Sequence, residues 1–138
     1  VGVFSLCELA DLWLDEEDPS CMDRLNDYLP EGLRVKRACR ADGRSLSKSC
    51  DGAQYLLCFK VNEISKAAAG ILSSRVERVG PSSAGKCLDV IMLKPYEASP
   101  AMFVKLLSSE GVISSWGDIR IVRIKLGRWD GHEVISLL

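Results

Sequence analysis

The 138-residue sequence contains few of the residues from which a metal centre, a reaction centre or a membrane anchor is usually built. It has one histidine, and its six cysteines form no Cys-x-x-Cys pair. Zinc and iron–sulfur sites are usually assembled from closely spaced ligands, so this spacing argues against a metal site. No apolar run approaches the roughly 20 residues that a membrane-spanning helix needs. We therefore predict no metal, no cofactor and no membrane partner.

The sequence also has no excess of positive or of negative charge. The formal net charge is −1, so any attraction to nucleic acid would have to come from a local basic patch. Hydrophobic residues make up 47% of the chain and charged residues 27%, which is typical of a globular protein and excludes general disorder.

The first residues suggest a cytoplasmic protein and a piece of a longer one. Residues 1–6 are apolar but lack the basic flank of a signal peptide, and the chain has no initiator methionine. We therefore expect reduced thiols, with Cys58 a small buried residue in an apolar strand. An even number of cysteines leaves a disulfide framework open.

The first third of the chain predicts a strand, a helix and a second strand. Residues 10–15 and 33–38 alternate apolar and polar side chains, as in half-buried strands. Between them, Asp18 and Pro19 resemble a helix start, and Met22, Leu25 and Leu29 recur at helical spacing. We predict that residues 1–42 form this half-unit and that the loop over residues 40–52 ends it.

The rest of the chain, residues 53–138, predicts a βαββαβ unit followed by a hairpin. Asn62 and Ser99-Pro100 mark the helix starts, and Asp130-Gly131 is a hairpin turn signal. The predicted strands are residues 53–61, 75–79, 87–93, 119–126 and 133–138, with a turn over residues 80–85. This order is typical of a ferredoxin-like unit. The expected fold class is α+β, with a mainly antiparallel sheet and helices on one face.

Two basic stretches are candidate contacts for RNA phosphates or for a partner. The first has only Asp42 opposing it, and the second lies on the predicted strand at residues 119–126. Ordinary exposed strand residues are the alternative interpretation, because these strands carry no aromatic stacking motif. The candidate residues are Arg34, Lys36, Arg37, Arg40, Arg120, Arg123 and Lys125.

Three further signals have simple structural explanations. The acidic run at residues 15–18 is typical of a solvated turn before a helix. His132 follows a turn and has no nucleophile beside it in the sequence, whereas Asp89 could be a buried acid but is expected to face solvent. No catalytic residue is predicted.

One segment resembles a known family. Leu25-Asn26, followed by Leu-Pro-Glu-Gly-Leu-Arg-Val at residues 29–35, is similar to the bacterial radical SAM-linked protein family, a domain of unknown function. Members of that family begin with a further strand, helix and strand that carry Ser-His-Leu-Asp and Gln-Gly-Phe-His-Pro motifs. Neither motif occurs here, so no functional residue can be transferred. The resemblance implies an accessory domain associated with, or fused to, a radical SAM protein.

The leading functional hypothesis is therefore a non-catalytic accessory or adaptor domain that binds a radical SAM protein. The alternatives are an RNA-binding module, or a fragment of an enzyme whose reactive residues lie upstream of this chain. An exposed sheet edge at the first strand would also favour a homodimer.

Overall fold

The computed structural model describes residues 2–41, 43–83 and 85–137. It shows a mixed α+β fold with one six-stranded sheet and four α-helices, which confirms the predicted class. A short 3-10 helix, Trp116–Asp118, precedes the fifth strand. In chain order the elements are β1 (Val3–Ser5), α1 (Cys21–Tyr28), α2 (Leu46–Ser49), β2 (Gly52–Phe59), α3 (Asn62–Leu72), β3 (Arg78–Pro81), β4 (Cys87–Leu93), α4 (Ala101–Ser109), β5 (Ile119–Trp129) and β6 (Val134–Ser136).

The sheet is mostly antiparallel. Its strand order is β1-β5-β2-β4-β3, and β6 pairs with the far end of β5. Only β1 runs parallel to its neighbour, with Val3 opposite Ile121. The long strands β2, β4 and β5 form the centre because their sequences carry the apolar residues that a sheet interior requires.

One face of the sheet, here called the inner face, holds the core. Alternate residues of β2 point to it, among them Tyr55 and Leu57, both fully buried. The buried side chains of α3 and α4 join the same cluster, and the Phe103 ring meets the Tyr55 ring edge-on at 5.7 Å. Full burial of side chains of this size stabilises the fold by about 1.5–3 kcal/mol each.

The hairpin turn signal is confirmed by its hydrogen bonds, whereas the predicted helix-start residues lie near the helix starts without being the N-caps, which are Ser20, Val61 and Pro100. Ser99 Oγ accepts the Ala101 N–H at 3.2 Å, immediately before α4. Asp18 Oδ1 accepts the Ser20 N–H at 2.8 Å, so α1 begins two residues after Pro19. In the β5–β6 turn, Asp130 Oδ1 accepts two backbone N–H groups at 2.7 Å, and Gly131 has φ +94°.

The two predicted strands of the first third are wrong. Neither residues 10–15 nor residues 33–38 pair with the sheet, and residues 3–5 form the edge strand instead. The Asn26 side chain bonds both backbone groups of Val35, at 2.7 and 3.1 Å, which replaces strand pairing there. Trp13 is 83% exposed, so the alternation in residues 10–15 buries no face. The short α2 also lies within the loop predicted over residues 40–52.

Other predicted bounds shift slightly. The strand predicted over residues 75–79 lies at residues 78–81, and the last strand spans residues 134–136. Asp42, where the first unit was predicted to end, lies outside the described residues. So do Ala84, in the predicted turn, and Leu138, at the predicted end of the last strand. No helix of the described residues is long and apolar enough to span a bilayer.

The expectation that the cysteines are all reduced is also wrong. Cys58 and Cys87 form a disulfide that links β2 to β4, where the two residues are opposite each other in the strand register. Because they are 29 residues apart in sequence, spacing alone did not pair them. Cys58 is half-buried and lies on the outside of the sheet rather than in the core.

Candidate functional site

The second face of the sheet, here called the outer face, lies opposite the face on which α3 and α4 pack. Strand register places Leu56 and Cys58 of β2 on it, opposite Val122 and Arg120 of β5. Phe4 of β1 lies beside Val122 in the same register. This face thus carries an apolar patch of Phe4, Val122 and Leu56 beside the polar pair Asp89 and Gln54, and Arg120 lies at the end nearer Cys58, here called the upper end.

A shallow cleft of about 430 Å³, here called the Phe4 cleft, opens at that upper end. Three chain segments meet there: the edge strand β1, the end of β2 and the 3-10 helix that leads into β5. Its functional side chains are Phe4, Cys58, Lys60, Trp116, Asp118 and Arg120.

The Phe4 ring carries a cation above it. The Arg120 guanidinium carbon lies 5.2 Å from the ring centroid, within the range of a cation–π contact. The phenyl ring is nevertheless 56% exposed. The cleft therefore presents an aromatic surface and a positive charge side by side.

Asp118 fixes the geometry of the cleft wall. Its carboxylate accepts the Ser114 N–H at 2.8 Å and pairs with Lys60 Nζ at 3.0 Å. The backbone hydrogen bond from Ser114 and the Lys60 side chain lower the pKa of Asp118, which is therefore ionised at neutral pH. The carboxylate ties the loop before β5 to the end of β2.

The lower end of the outer face is covered. The Arg78 guanidinium lies 5.9 Å from the Trp129 ring and donates to the His132 carbonyl at 2.7 Å. Ile91, opposite Arg78 in the register, is 1% exposed. Asp89 is half-buried and accepts a hydrogen bond from Gln54 at 2.7 Å, so it is neither deeply buried nor fully solvated.

A polar cluster lies on the inner face around Arg123. Arg123, with a side chain 19% exposed, pairs with Glu8 and is opposite Tyr55 in the strand register. The Tyr55 hydroxyl and the Arg123 Nε are buried and make no hydrogen bond within the described residues. Burial raises the pKa of Tyr55, while the positive charge of Arg123 partly opposes that shift.

The two cysteines near this cluster are poor nucleophiles. Burial raises the pKa of Cys7 and of Cys50, so both are protonated thiols at neutral pH. A nucleophilic cysteine needs the opposite shift, toward the thiolate. In the described part of the chain, no group of three histidine, cysteine or acidic residues is placed to hold a metal ion.

The structure does not bring the seven predicted contact residues onto one sheet surface. Arg34, Lys36, Arg37 and Arg40 are exposed, but in a segment that is not a strand. On β5, Arg120 is exposed in the Phe4 cleft and Arg123 lies on the inner face. Lys125 forms an ion pair with Glu133, with 3.5 Å between Nζ and Oε2.

The aromatic member of the cleft was missed by sequence reasoning. Phe4 lies in a three-residue strand, and its partner β5 is more than 110 residues away. No local periodicity could therefore have placed it beside Arg120. The other predictions agree better with the structure: His132 is exposed, and Asp18 helps to begin α1.

Fold and surfaces together define a small α+β domain whose exposed surfaces a ligand or a partner could reach. The chain belongs to the family DUF2344, described as an uncharacterized protein conserved in bacteria, whose model matches residues 1–104. No curated protein and no solved structure matches the chain.

Proposed function

We propose that this is a non-catalytic binding domain that docks onto a partner protein in the bacterial cytoplasm. The observation that carries the proposal is an apolar, exposed stretch, residues 6–33, here called the docking segment. Six of its large hydrophobic side chains are exposed: Leu6 (73%), Leu12 (53%), Trp13 (83%), Leu14 (48%), Tyr28 (88%) and Leu33 (52%).

The docking segment contrasts with the rest of the fold. None of the described residues before Cys50 is fully buried, and only Cys7, Leu9 and Leu46 among them pack, half-exposed, against the core that the sheet and the helices α3 and α4 mainly supply. Side chains such as Trp and Tyr contribute most of the binding energy in protein interfaces when a partner covers them. Leaving this many in water has a free-energy cost that docking would remove.

Charged residues flank the apolar side chains. Three exposed acidic residues, residues 15–17, follow Trp13, and the basic residues from Arg34 to Arg40 follow Leu33. An apolar centre with a polar, charged rim is the usual anatomy of a specific interface. The resemblance to the radical SAM-linked family makes a radical SAM protein the proposed partner.

The test is co-elution with the radical SAM protein encoded in the same genome. We expect the pair to elute together in size-exclusion chromatography at low and at high salt. Because a central aromatic contributes about 2 kcal/mol or more, Trp13→Ser should weaken the complex about 30-fold. Val61→Ser is the matched control, since Val61 is 44% exposed and lies outside the docking segment. Separate elution of the wild-type proteins would refute this proposal.

RNA binding is a second candidate, supported by four exposed cations within seven residues. These residues are Arg34, Lys36, Arg37 and Arg40. If they bind phosphates, affinity for single-stranded RNA falls steeply with salt, and reversing the charge of Arg34, Lys36 and Arg40 reduces the slope of log affinity against log salt concentration by about 2. An unchanged slope would exclude this role for the segment.

We also propose a ferredoxin-like unit for residues 53–138, supported by the order β5-β2-β4-β3 and by α3 and α4 on the inner face. The sheet ends at β1 and β3, so dimerisation through the β1 edge stays a prediction, which sedimentation tests.

The hypothesis that reactive residues lie upstream of this chain is tested by reading the coding sequence before Val1.

A further inference from the structure

The Phe4 cleft combines an exposed aromatic ring with a neighbouring guanidinium. The ring belongs to Phe4 and remains 56% exposed although it lies beside Val122. The guanidinium belongs to Arg120 and lies 5.2 Å from that ring. An exposed ring on a sheet face is a stacking platform for any planar ligand, and a nearby guanidinium adds attraction for negative charge.

The cleft also has an excess of positive charge. Lys60 and Arg120 are its cations, and Asp118 is its one carboxylate. That carboxylate is already bound to Lys60 at 3.0 Å. Arg120 has no carboxylate partner within the described residues, so its hydrogen-bond donors are available to an anion.

The dimensions limit the ligand to a small one. A volume of about 430 Å³ is within the usual range for small-ligand sites, roughly 300–1,000 Å³. Trp116, half-buried in the cleft wall, adds a second aromatic surface. A ligand that uses both surfaces is planar at one end and anionic at the other, and one nucleotide unit has that shape and fits the volume.

We propose that the Phe4 cleft binds one nucleotide unit. The base takes the place of the Arg120 guanidinium over the Phe4 ring, and that guanidinium turns to hold the phosphate, with Lys60 completing the positive rim. This site uses neither the docking segment nor the basic residues from Arg34 to Arg40, so it stands or fails independently of both functions proposed above.

Isothermal titration calorimetry with four probes tests the site: AMP, adenosine, inorganic phosphate and single-stranded hexa-adenylate. AMP should bind more tightly than adenosine or phosphate, because only AMP supplies both groups. Phe4→Ala and Arg120→Gln should each weaken AMP binding about tenfold, since one base stack or one charge-assisted contact contributes roughly that much.

Matched controls are available elsewhere on the surface. Tyr96→Ala removes an aromatic side chain that is 51% exposed, and Arg75→Gln removes an exposed arginine. Both variants should bind AMP like the wild type. Because Phe4 is itself more than half exposed, Phe4→Ala should keep the wild-type circular dichroism spectrum and melting temperature.

The hexa-adenylate arm identifies the source of the nucleotide. If hexa-adenylate binds more tightly than AMP, and Phe4→Ala and Arg120→Gln remove that binding, the cleft is assigned to single-stranded RNA. If AMP binds more tightly than hexa-adenylate, the cleft is assigned to a free nucleotide. Three results would overturn the proposal: no binding of AMP, phosphate binding as tight as AMP and insensitive to Phe4→Ala, or equal weakening by the controls.

Discussion

At the scale of single residues, Gly127 is the position with the least room for a side chain. A Cβ atom placed there would lie 1.9 Å from the Ile135 carbonyl oxygen, which belongs to the paired strand β6. Backbone cannot move aside as a flexible side chain can. Only glycine therefore lets β6 approach β5 this closely.

We expect Gly127→Ala to lower the free energy of unfolding by about 1–3 kcal/mol, the usual cost of overpacking. The measurement is urea denaturation followed by circular dichroism. Gly70→Ala is the control, since nothing lies within 4 Å of a Cβ there and the residue is inside α3. That change should stabilise the protein by about 0.5–1 kcal/mol. Equal behaviour of the two variants would contradict the close approach at Gly127.

Tyr55 should make stability fall in alkaline solution. Its buried hydroxyl has a pKa raised above the ordinary value of 10.0, mainly by burial. The unfolded state therefore loses this proton first as pH rises, and stability decreases from about pH 10 upward. Below that pH, both states hold the proton and the residue contributes no pH dependence.

Tyr55→Phe tests this reasoning, because it keeps the ring contact with Phe103 and removes a hydroxyl without a hydrogen-bond partner among the described residues. We expect equal or slightly higher stability at neutral pH and a shallower decline above about pH 10 in urea titrations. Burial also raises the pKa of Tyr96 and Cys50, so some decline should remain. A decrease of more than about 2 kcal/mol in the free energy of unfolding at neutral pH would show that the Tyr55 hydroxyl makes a hydrogen bond.

At the scale of elements, the disulfide joins the two central strands β2 and β4. The disulfide closes a loop between Cys58 and Cys87, which are 29 residues apart. Because this loop lowers the conformational entropy of the unfolded chain, we expect it to stabilise the fold by about 3–4 kcal/mol. Reduction should therefore lower the urea midpoint. Cys7, Cys21, Cys39 and Cys50 remain free.

Thiol titration of the denatured protein checks the pairing directly. Without reductant, four of the six cysteines should react, and after reduction all six should react. A Cys7→Ser variant serves as the control and should give three without reductant, because Cys7 is free. Six reactive thiols in the wild type before reduction would rule the disulfide out.

The elements that could be predicted from sequence are those specified by their own residues. The strand β2 and the helix α3 begin and end within two residues of the predicted bounds, because apolar periodicity and turn residues act locally. The alternating residues 10–15 and 33–38 did not become strands, because a strand also needs a partner and a face to bury. Val35 found its hydrogen bonds at Asn26 instead.

The candidate site was much less predictable. Arg120 could be singled out as a basic strand residue, but its neighbour Phe4 comes from a strand more than 110 residues earlier. Likewise, Arg123 lies on the inner face with Ile121, and a register shift between Gln54 and Tyr55 then puts Lys125 on the outer face and Leu126 on the inner face. Long-range pairing and bulges of this kind leave no local sequence signal.

At the scale of the whole molecule, the chain has a packed part and an unpacked part. From Cys50 onward, the sheet and the helices α3 and α4 form most of the core, whereas no described residue before Cys50 is fully buried and only Cys7, Leu9 and Leu46 touch the core cluster. Even α1, whose apolar residues share one face, has no buried residue. A segment with this character is stable in its final form only when something covers it.

Amide hydrogen exchange of the isolated protein, read by mass spectrometry, tests this division most directly. Peptides from β2 and β4 should exchange only through global unfolding, while peptides covering residues 6–41, α1 included, should exchange orders of magnitude faster. Comparable protection of α1 and β2 would contradict the account, because it would show that the docking segment is already packed within the chain.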